Sequence, residues 1–540
     1  MANGWWQGFK WAARWSACAG LVVALVACGG GSGGDDSGTS TAGGGDSSNT
    51  GSGSTGTGDT PTTPTTPETP VCTPVISPVQ YAEYHVATAT KAGSGTPKAW
   101  SQTRVAPAPH SIELGALAQT KVAQSLPGGM RQIGLARSVA QTGDSDATGA
   151  LLRWQFKAGG GMAAAISFRS TGAQGIRLGI LVDQVPDEAV LRFYAQGGGS
   201  VFEVPGAEIT AAIRRNVAAG DAGSDARTYW APDVGADEVT LEVELPRGTD
   251  PSTLRIAVPR LSHYVVTPQD SGLRDSTKIG QAEACTVDVS CDATYDNESN
   301  SVARMAFVEN GSAYLCTGTL VNDQAASETP YFLSASHCVA TQTVASSLTT
   351  YWFYRATSCN SGIASQQMRV VVGGATLLYA NGLTDTSFMR LNTAPPAGVV
   401  YAGWQSATPV AGTSVADISH PSGDVQKLSV GSISGFGTCS NISGDKFTCS
   451  SATASTGNFV TVNWTSGVTE SGSSGSALFA SIGGHRYLVG QLTGGTASCT
   501  IKNGVDYFGR FDLAYTAALS QWLGATQQSG TTCSTSAAQQ

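Results

Sequence analysis

Apolar and polar residues alternate with a period of two along several short stretches between residues 72 and 278. Ala165-Ile166-Ser167-Phe168, Ile176-Arg177-Leu178-Gly179-Ile180-Leu181-Val182, Val190-Leu191-Arg192-Phe193-Tyr194 and the run 239–245 are of this kind. Such runs, split by Gly and Pro, predict a β-sandwich, because alternate side chains of a strand face opposite sides of its sheet. From residue 279 the texture changes to short strands with polar turns. Residues 312–321 and 487–492 read as strands, and 513–523, carrying Tyr515, Leu519 and Trp522, reads as a short closing helix. Roughly 250 residues of short strands fit a pair of β-barrels. The chain is therefore expected to be all-β: a β-rich domain over 72–278, a two-barrel domain over 279–524 and a polar tail over 525–540.

The first 71 residues follow a different pattern. Lys10 and Arg14 precede an apolar run over 17–27, shorter than the roughly 20 residues that span a bilayer, so 1–27 reads as a cleaved signal peptide. It closes on Leu25-Val26-Ala27-Cys28-Gly29, which resembles a bacterial lipobox; that resemblance makes Cys28 the lipidated first residue of a membrane-anchored protein. Gly29 in place of Asp resembles lipoproteins passed on to the outer membrane. Residues 28–71 are Gly, Ser, Thr, Asp and Pro with almost nothing apolar, a tether that cannot bury enough surface to offset its chain entropy. The expected location is the bacterial cell envelope (outer membrane, cell surface or periplasm), or the medium after processing.

Charged residues make up 13% of the chain and the net charge is −9, so no basic surface argues for nucleic acid. Eight of the 12 cysteines (Cys285, Cys291, Cys316, Cys338, Cys359, Cys439, Cys449 and Cys499) lie between residues 279 and 524, an even set suited to disulfides in an oxidising compartment. Cys72 and Cys533 have no assigned partner. His85, His110 and His263 are scattered without metal-ligand spacing and read as ordinary surface or core residues. No metal or cofactor is expected.

Catalytic chemistry is signalled by three stretches taken together. Gly472-Ser473-Ser474-Gly475-Ser476 sets a serine between glycines, where a tight loop can expose the hydroxyl and aim backbone N–H groups at one spot. Alone it reads as one more Gly-Ser loop. Tyr331-Phe332-Leu333-Ser334-Ala335-Ser336-His337-Cys338 is an apolar strand ending on a histidine, and Thr384-Asp385 opens another strand. The order His, Asp, Ser along the chain is that of chymotrypsin-like proteases and differs from that of subtilisins or α/β-hydrolases. The Ser474 loop ends on serine and is not a Gly-x-Ser-x-Gly elbow, which disfavours an esterase with the same triad.

These residues resemble the chymotrypsin-fold serine proteases, and among them the bacterial lysyl endopeptidases, over about residues 279–524. The resemblance is carried by Cys285 to Cys291, Cys316-Thr317-Gly318-Thr319, Ser336-His337-Cys338, Asp385-Thr386-Ser387-Phe388, His420-Pro421-Ser422-Gly423, Gly472 to Ser476, Gly490-Gln491-Leu492-Thr493-Gly494-Gly495 and Asp506-Tyr507-Phe508-Gly509-Arg510. It implies a serine endopeptidase acting on proteins or peptides, with His337, Asp385 and Ser474 as triad and the N–H groups of Gly472 and Ser474 as oxyanion hole. It implies disulfides Cys285–Cys499, Cys291–Cys359 and Cys316–Cys338, leaving Cys439 and Cys449 as a local pair. It implies lysine specificity through Asp506 on a pocket wall beside Thr493 and Gly494, since Val468, six before Ser474, carries no charge for a pocket base. From residue 279 on there are three lysines against six arginines, as expected where exposed lysines invite self-cleavage. The 72–278 domain is expected to be a propeptide, with Lys278 at its junction. Departures from the family are Ser473 where trypsin has Asp, Thr493 where a histidine can stand, and Ser336 before the histidine. A catalytically inactive surface adhesion lipoprotein is the alternative.

Overall fold

The alternating stretches form strands in the computed structural model, which describes residues 79–88, 98–99, 106–118, 129–266, 282–443 and 446–524. These residues all fall within one compact unit, Cys72–Gln540. The leader, Cys28, Cys72, the tether, Lys278, Cys533 and the 525–540 tail lie outside the described residues.

Two sheets are built from the first half. In one, Ser200–Pro205, Val190–Tyr194, Glu238–Leu245 and Met162–Ser170 run in that order, with His110–Leu114 parallel at the edge. In the other, Thr228–Trp230, Gly175–Gln184, Arg255–Tyr264 and Arg131–Ser138 follow one another. Ile166, Phe168, Phe193, Leu241 and Val243 of the first meet Leu178, Ile180, Val258 and Leu261 of the second in one buried core. Alternate positions of each strand supply these side chains, so a one-residue slip would turn the whole set out of the core. The period-two reading names no helix here, yet Gly206–Ala218 is one, burying Ile209, Ala212 and Asn216 along one face. The spacing of three and four between those residues is the helical signal.

The second of these sheets does not stop at the first half. Ser312–Val321 pairs along one edge with Val302–Glu309. Its other edge is shared between Tyr331–Ala335, opposite Thr319 to Val321, and Arg131–Ser138, with Arg131↔Leu315, Gln132↔Tyr314 and Gly134↔Ala313. Ile133, Trp230 and Tyr264 from the first half pack with Ala306, Val308, Ala313, Leu315 and Tyr351 from the second. Buried Arg177 donates to the backbone carbonyls of Trp230 and Ala231, and across the join to that of Ser347 at 2.8 Å.

A further sheet carries the last part of the chain. His485–Gly495, Ala477–Ile482, Ser414–Ser419, Lys427–Ser443, Phe459–Ser466 and Asp506–Arg510 pair in that order, and the last pairs again with the first. The expected closing helix runs from Phe511–Ala514 through a π-helical turn, Tyr515–Leu519, to Ser520–Leu523. Phe511 and Tyr515 hold Trp404 at ring-centroid distances of 5.6 and 4.8 Å. Among the described residues there are four disulfides, Cys285–Cys499, Cys291–Cys359, Cys316–Cys338 and Cys439–Cys449, the same pairs the resemblance implies.

Candidate active site

Strand Tyr331–Ala335 pairs with Thr386–Leu391, Ala335 opposite Thr386, so the residues just beyond the ends of this ladder, His337 and Asp385, are brought together. The Asp385 carboxylate accepts from the His337 backbone N–H at 2.8 Å and lies 2.7 Å from His337 Nδ1. The Asp385 carbonyl accepts from the Ser336 N–H at 2.9 Å. Asp385 has φ +51°, a left-handed conformation that is uncommon away from glycine but least so for Asp and Asn. These bonds hold it there, and each fixes the imidazole ring. With Nδ1 donating to the carboxylate, Nε2 carries the lone pair that can take a proton. Both side chains are without exposed surface, and Nε2 has no hydrogen bond among the described residues.

Thr493 donates its hydroxyl to Asp385 Oδ2 at 2.8 Å and is itself buried. Its side chain therefore supports the aspartate. Thr493 lies on His485–Gly495, which pairs with neither strand flanking the His337–Asp385 pair, so its place beside Asp385 is set by tertiary packing.

Ser474 sits on a turn between Gly472 (φ +96°) and Gly475 (φ +82°). A Cβ on Gly475 would come within 2.1 Å of Ser334 Oγ and 2.6 Å of the Thr317 carbonyl, and one on Gly472 within 2.9 Å of the His420 carbonyl. Close approach and left-handed backbone together require glycine at both positions. The turn is tied by Ser473 N–H to the Glu470 carbonyl, Gly475 N–H to the Leu492 carbonyl and Thr317 N–H to the Ser474 carbonyl, at 3.0, 2.8 and 2.8 Å. Ser476 donates to the carboxylate of Asp417, which also accepts from Ser419. Sequence reading did not single out Asp417; its one signal is an acidic residue inside the otherwise apolar run Val415-Ala416-Asp417-Ile418. His420 is fully buried and stacked on Tyr354, and burial pushes its pKa down to about 3, so it is neutral.

The N–H of Gly472 is already engaged: it donates to the carbonyl of Gly129, a residue of the first half, at 2.8 Å. Gly129 is buried, as is Ser474.

Asp506 is buried and accepts from Trp464 Nε1 at 2.6 Å, Thr469 Oγ1 at 2.7 Å and the Ala497 N–H at 3.3 Å. No cationic side chain pairs with it among the described residues. Burial pushes its pKa up to about 6, against the pull of those three donors. Burial likewise raises Asp417 to about 7, with repulsion from Asp506 adding to it. Gly495 lies against this carboxylate so closely that a Cβ would be 2.0 Å from Oδ1. Val468 is buried and uncharged. Cys316, His337 and Cys338 lie within 4.8 Å of one another, but the two sulfurs are bonded to each other and are not available to a metal.

Residues 279–509 match the family described as lysyl endopeptidase, C-terminal domain, and residues 105–265 match the lysyl endopeptidase N-terminal domain. A lysyl endopeptidase of Pseudomonas aeruginosa is 34% identical over 406 residues, 72% of this chain and 80% of that one. A secreted RxLR effector protein of Plasmopara viticola is 26% identical over 30% of this chain and 41% of its own. Among solved structures, the active form of the Rv3671c protease from M. tuberculosis has 17% identity and a TM-score of 0.29, covering 47% of this chain and 96% of that one. Deg5 has 14% identity and a TM-score of 0.27, covering 41% and 88%.

Proposed function

This chain belongs to the lysyl endopeptidase family and is a serine endopeptidase, and from that premise we propose that it cuts peptide bonds after lysine with Ser474, His337 and Asp385. In this reading Ser474 Oγ attacks the scissile carbonyl while His337 Nε2 takes its proton and later gives it to the leaving amine. Asp385 keeps the proton on Nδ1 and stabilises the imidazolium. The N–H groups of Gly472 and Ser474 stabilise the oxyanion, each by about 3 to 4 kcal/mol. The observation that carries the reading is the buried His337 Nδ1 to Asp385 Oδ2 pair at 2.7 Å. Asp506 is the carboxylate proposed to meet the substrate ammonium. It is buried, hydrogen-bonded on both oxygens and unpaired by any cation among the described residues, as a charge-selecting site requires. A compact ammonium suits a wall carboxylate better than a planar guanidinium does. The adhesion alternative has no observation in its favour.

The architecture is proposed to be that of two barrels: the ring of six strands through Asp506–Arg510 supports one, and the curved sheet around Val302–Glu309 and Ser312–Val321 the other. Residues 72–278 are proposed to be a propeptide released at Lys278, and Cys28 a lipid anchor in the cell envelope. No helix among the described residues is long and apolar enough to cross a membrane. Ser474→Ala is expected to abolish hydrolysis of lysyl peptide amides and labelling by a fluorophosphonate, with the circular-dichroism spectrum and disulfides unchanged. Retained cleavage by that variant would sink the assignment.

A further inference from the structure

The Gly129 carbonyl accepts a hydrogen bond from Gly472 N–H at 2.8 Å, one of the two donors assigned above to the oxyanion. Two residues on, Arg131 pairs with Leu315, and the chain continues as an antiparallel strand on Ser312–Val321. That strand leads directly into Cys316, whose disulfide partner Cys338 follows His337. Met130, between the two, packs against the cluster that contains Cys316 and Cys338. A carbonyl at the oxyanion donor followed by an extended chain on the neighbouring strand is how the scissile carbonyl and leaving side of a bound peptide are held.

Residue 129 thus stands where the residue to be cut stands, with Met130 as the first residue of the leaving side. We propose that residues 129–138 are an inhibitory strap seated in the register of a substrate, and that the strap survives because a glycine occupies the scissile position. This rests on the lysyl endopeptidase reading of Ser474 and Asp506. A glycine places nothing in the lysine pocket, so the binding interactions that would be realised in the transition state are missing. The strap is held from behind as well. Arg131–Ser138 pairs with Arg255–Tyr264, and Tyr264 and Ile133 are buried against Leu315. Turnover at residue 129 would form a bond between Ser474 Oγ and the carbonyl carbon of that residue and break its C–N bond to Met130. The amine would leave with the proton His337 took from Ser474, and water would hydrolyse the ester.

The test is Gly129→Lys in the full-length chain, which turns the strap into a substrate, with Gly129→Ala as the control for added bulk and Gly129→Lys/Ser474→Ala as the control for outside proteases. The expected result is loss of intact Gly129→Lys precursor and a new N-terminus at Met130 by Edman sequencing, with the bond uncut in wild type and in both controls. An uncut bond in the Gly129→Lys variant, in a preparation that hydrolyses lysyl peptide amides, overturns the strap while leaving the enzyme reading intact. Absence of lysyl amidase activity from wild type after processing would overturn both.

Discussion

The Asp385 carboxylate receives three hydrogen bonds, from the His337 N–H, His337 Nδ1 and the Thr493 hydroxyl. Thr493→Val removes one of them at nearly constant volume. Losing a buried hydrogen bond to a charged group costs about 1.5 to 3 kcal/mol, which the imidazolium formed in the transition state feels and the bound substrate does not. A fall in kcat of roughly ten- to a hundredfold with KM little changed is expected in steady-state kinetics; a change confined to KM would place Thr493 in the pocket wall instead. Asp506 lends itself to a ratio measurement. Its pKa is raised to about 6, so lowering the pH through that value protonates it and removes the charge that selects lysine. The ratio of kcat/KM for lysyl over leucyl amides should fall as pH drops below about 6 and be flat and low in Asp506→Asn. A ratio independent of pH in wild type would remove Asp506 from the pocket. Much of this was legible in sequence because a strand ending on Ser336-His337-Cys338 and a serine between glycines are local signals. Thr493 and Asp417 act through partners about 108 and 59 residues away, and no short motif encodes contacts at such separation.

At the scale of elements, the disulfides differ in what they constrain. Cys285–Cys499 closes 214 residues and joins the start of the second half to the loop before Asp506, whereas Cys439–Cys449 closes 10 within one hairpin. Chain entropy makes the long loop the more stabilising by about 2 to 3 kcal/mol. Replacing Cys285 and Cys499 by Ala should therefore lower the urea midpoint clearly more than replacing Cys439 and Cys449; equal shifts would show that strain or residual structure outweighs loop length. The strands were readable from period two, while the Gly206–Ala218 helix was missed because a few buried residues in a polar context make a weak signal among strong alternating ones. Gly129 was invisible for a different reason: its role lies in a carbonyl, which every residue has.

For the whole molecule, the first half contributes a strand to a sheet of the second and buries Ile133, Trp230 and Tyr264 against it. Contacts of that extent fit a folding partner held until release. Lys278→Gln should leave the precursor at full length on gels and silent toward lysyl amides, whereas wild type should yield an active species beginning at Ile279. Full activity of an uncut Lys278→Gln protein in the membrane fraction would make residues 72–278 a permanent spacer.

Among the described residues, Ser312–Val321 has one edge of its first half occupied by Arg131–Ser138 alone. When that strand departs, the backbone N–H and C=O groups of Ala313 to Leu315 are left to water, and the next occupant must match them with an extended main chain of its own. Helices and closed sheets have no such groups to spare. The mature protein would thus sense how readily a stretch of its target frays, cutting native proteins at rates set by their local opening and unfolded ones at rates set by chemistry.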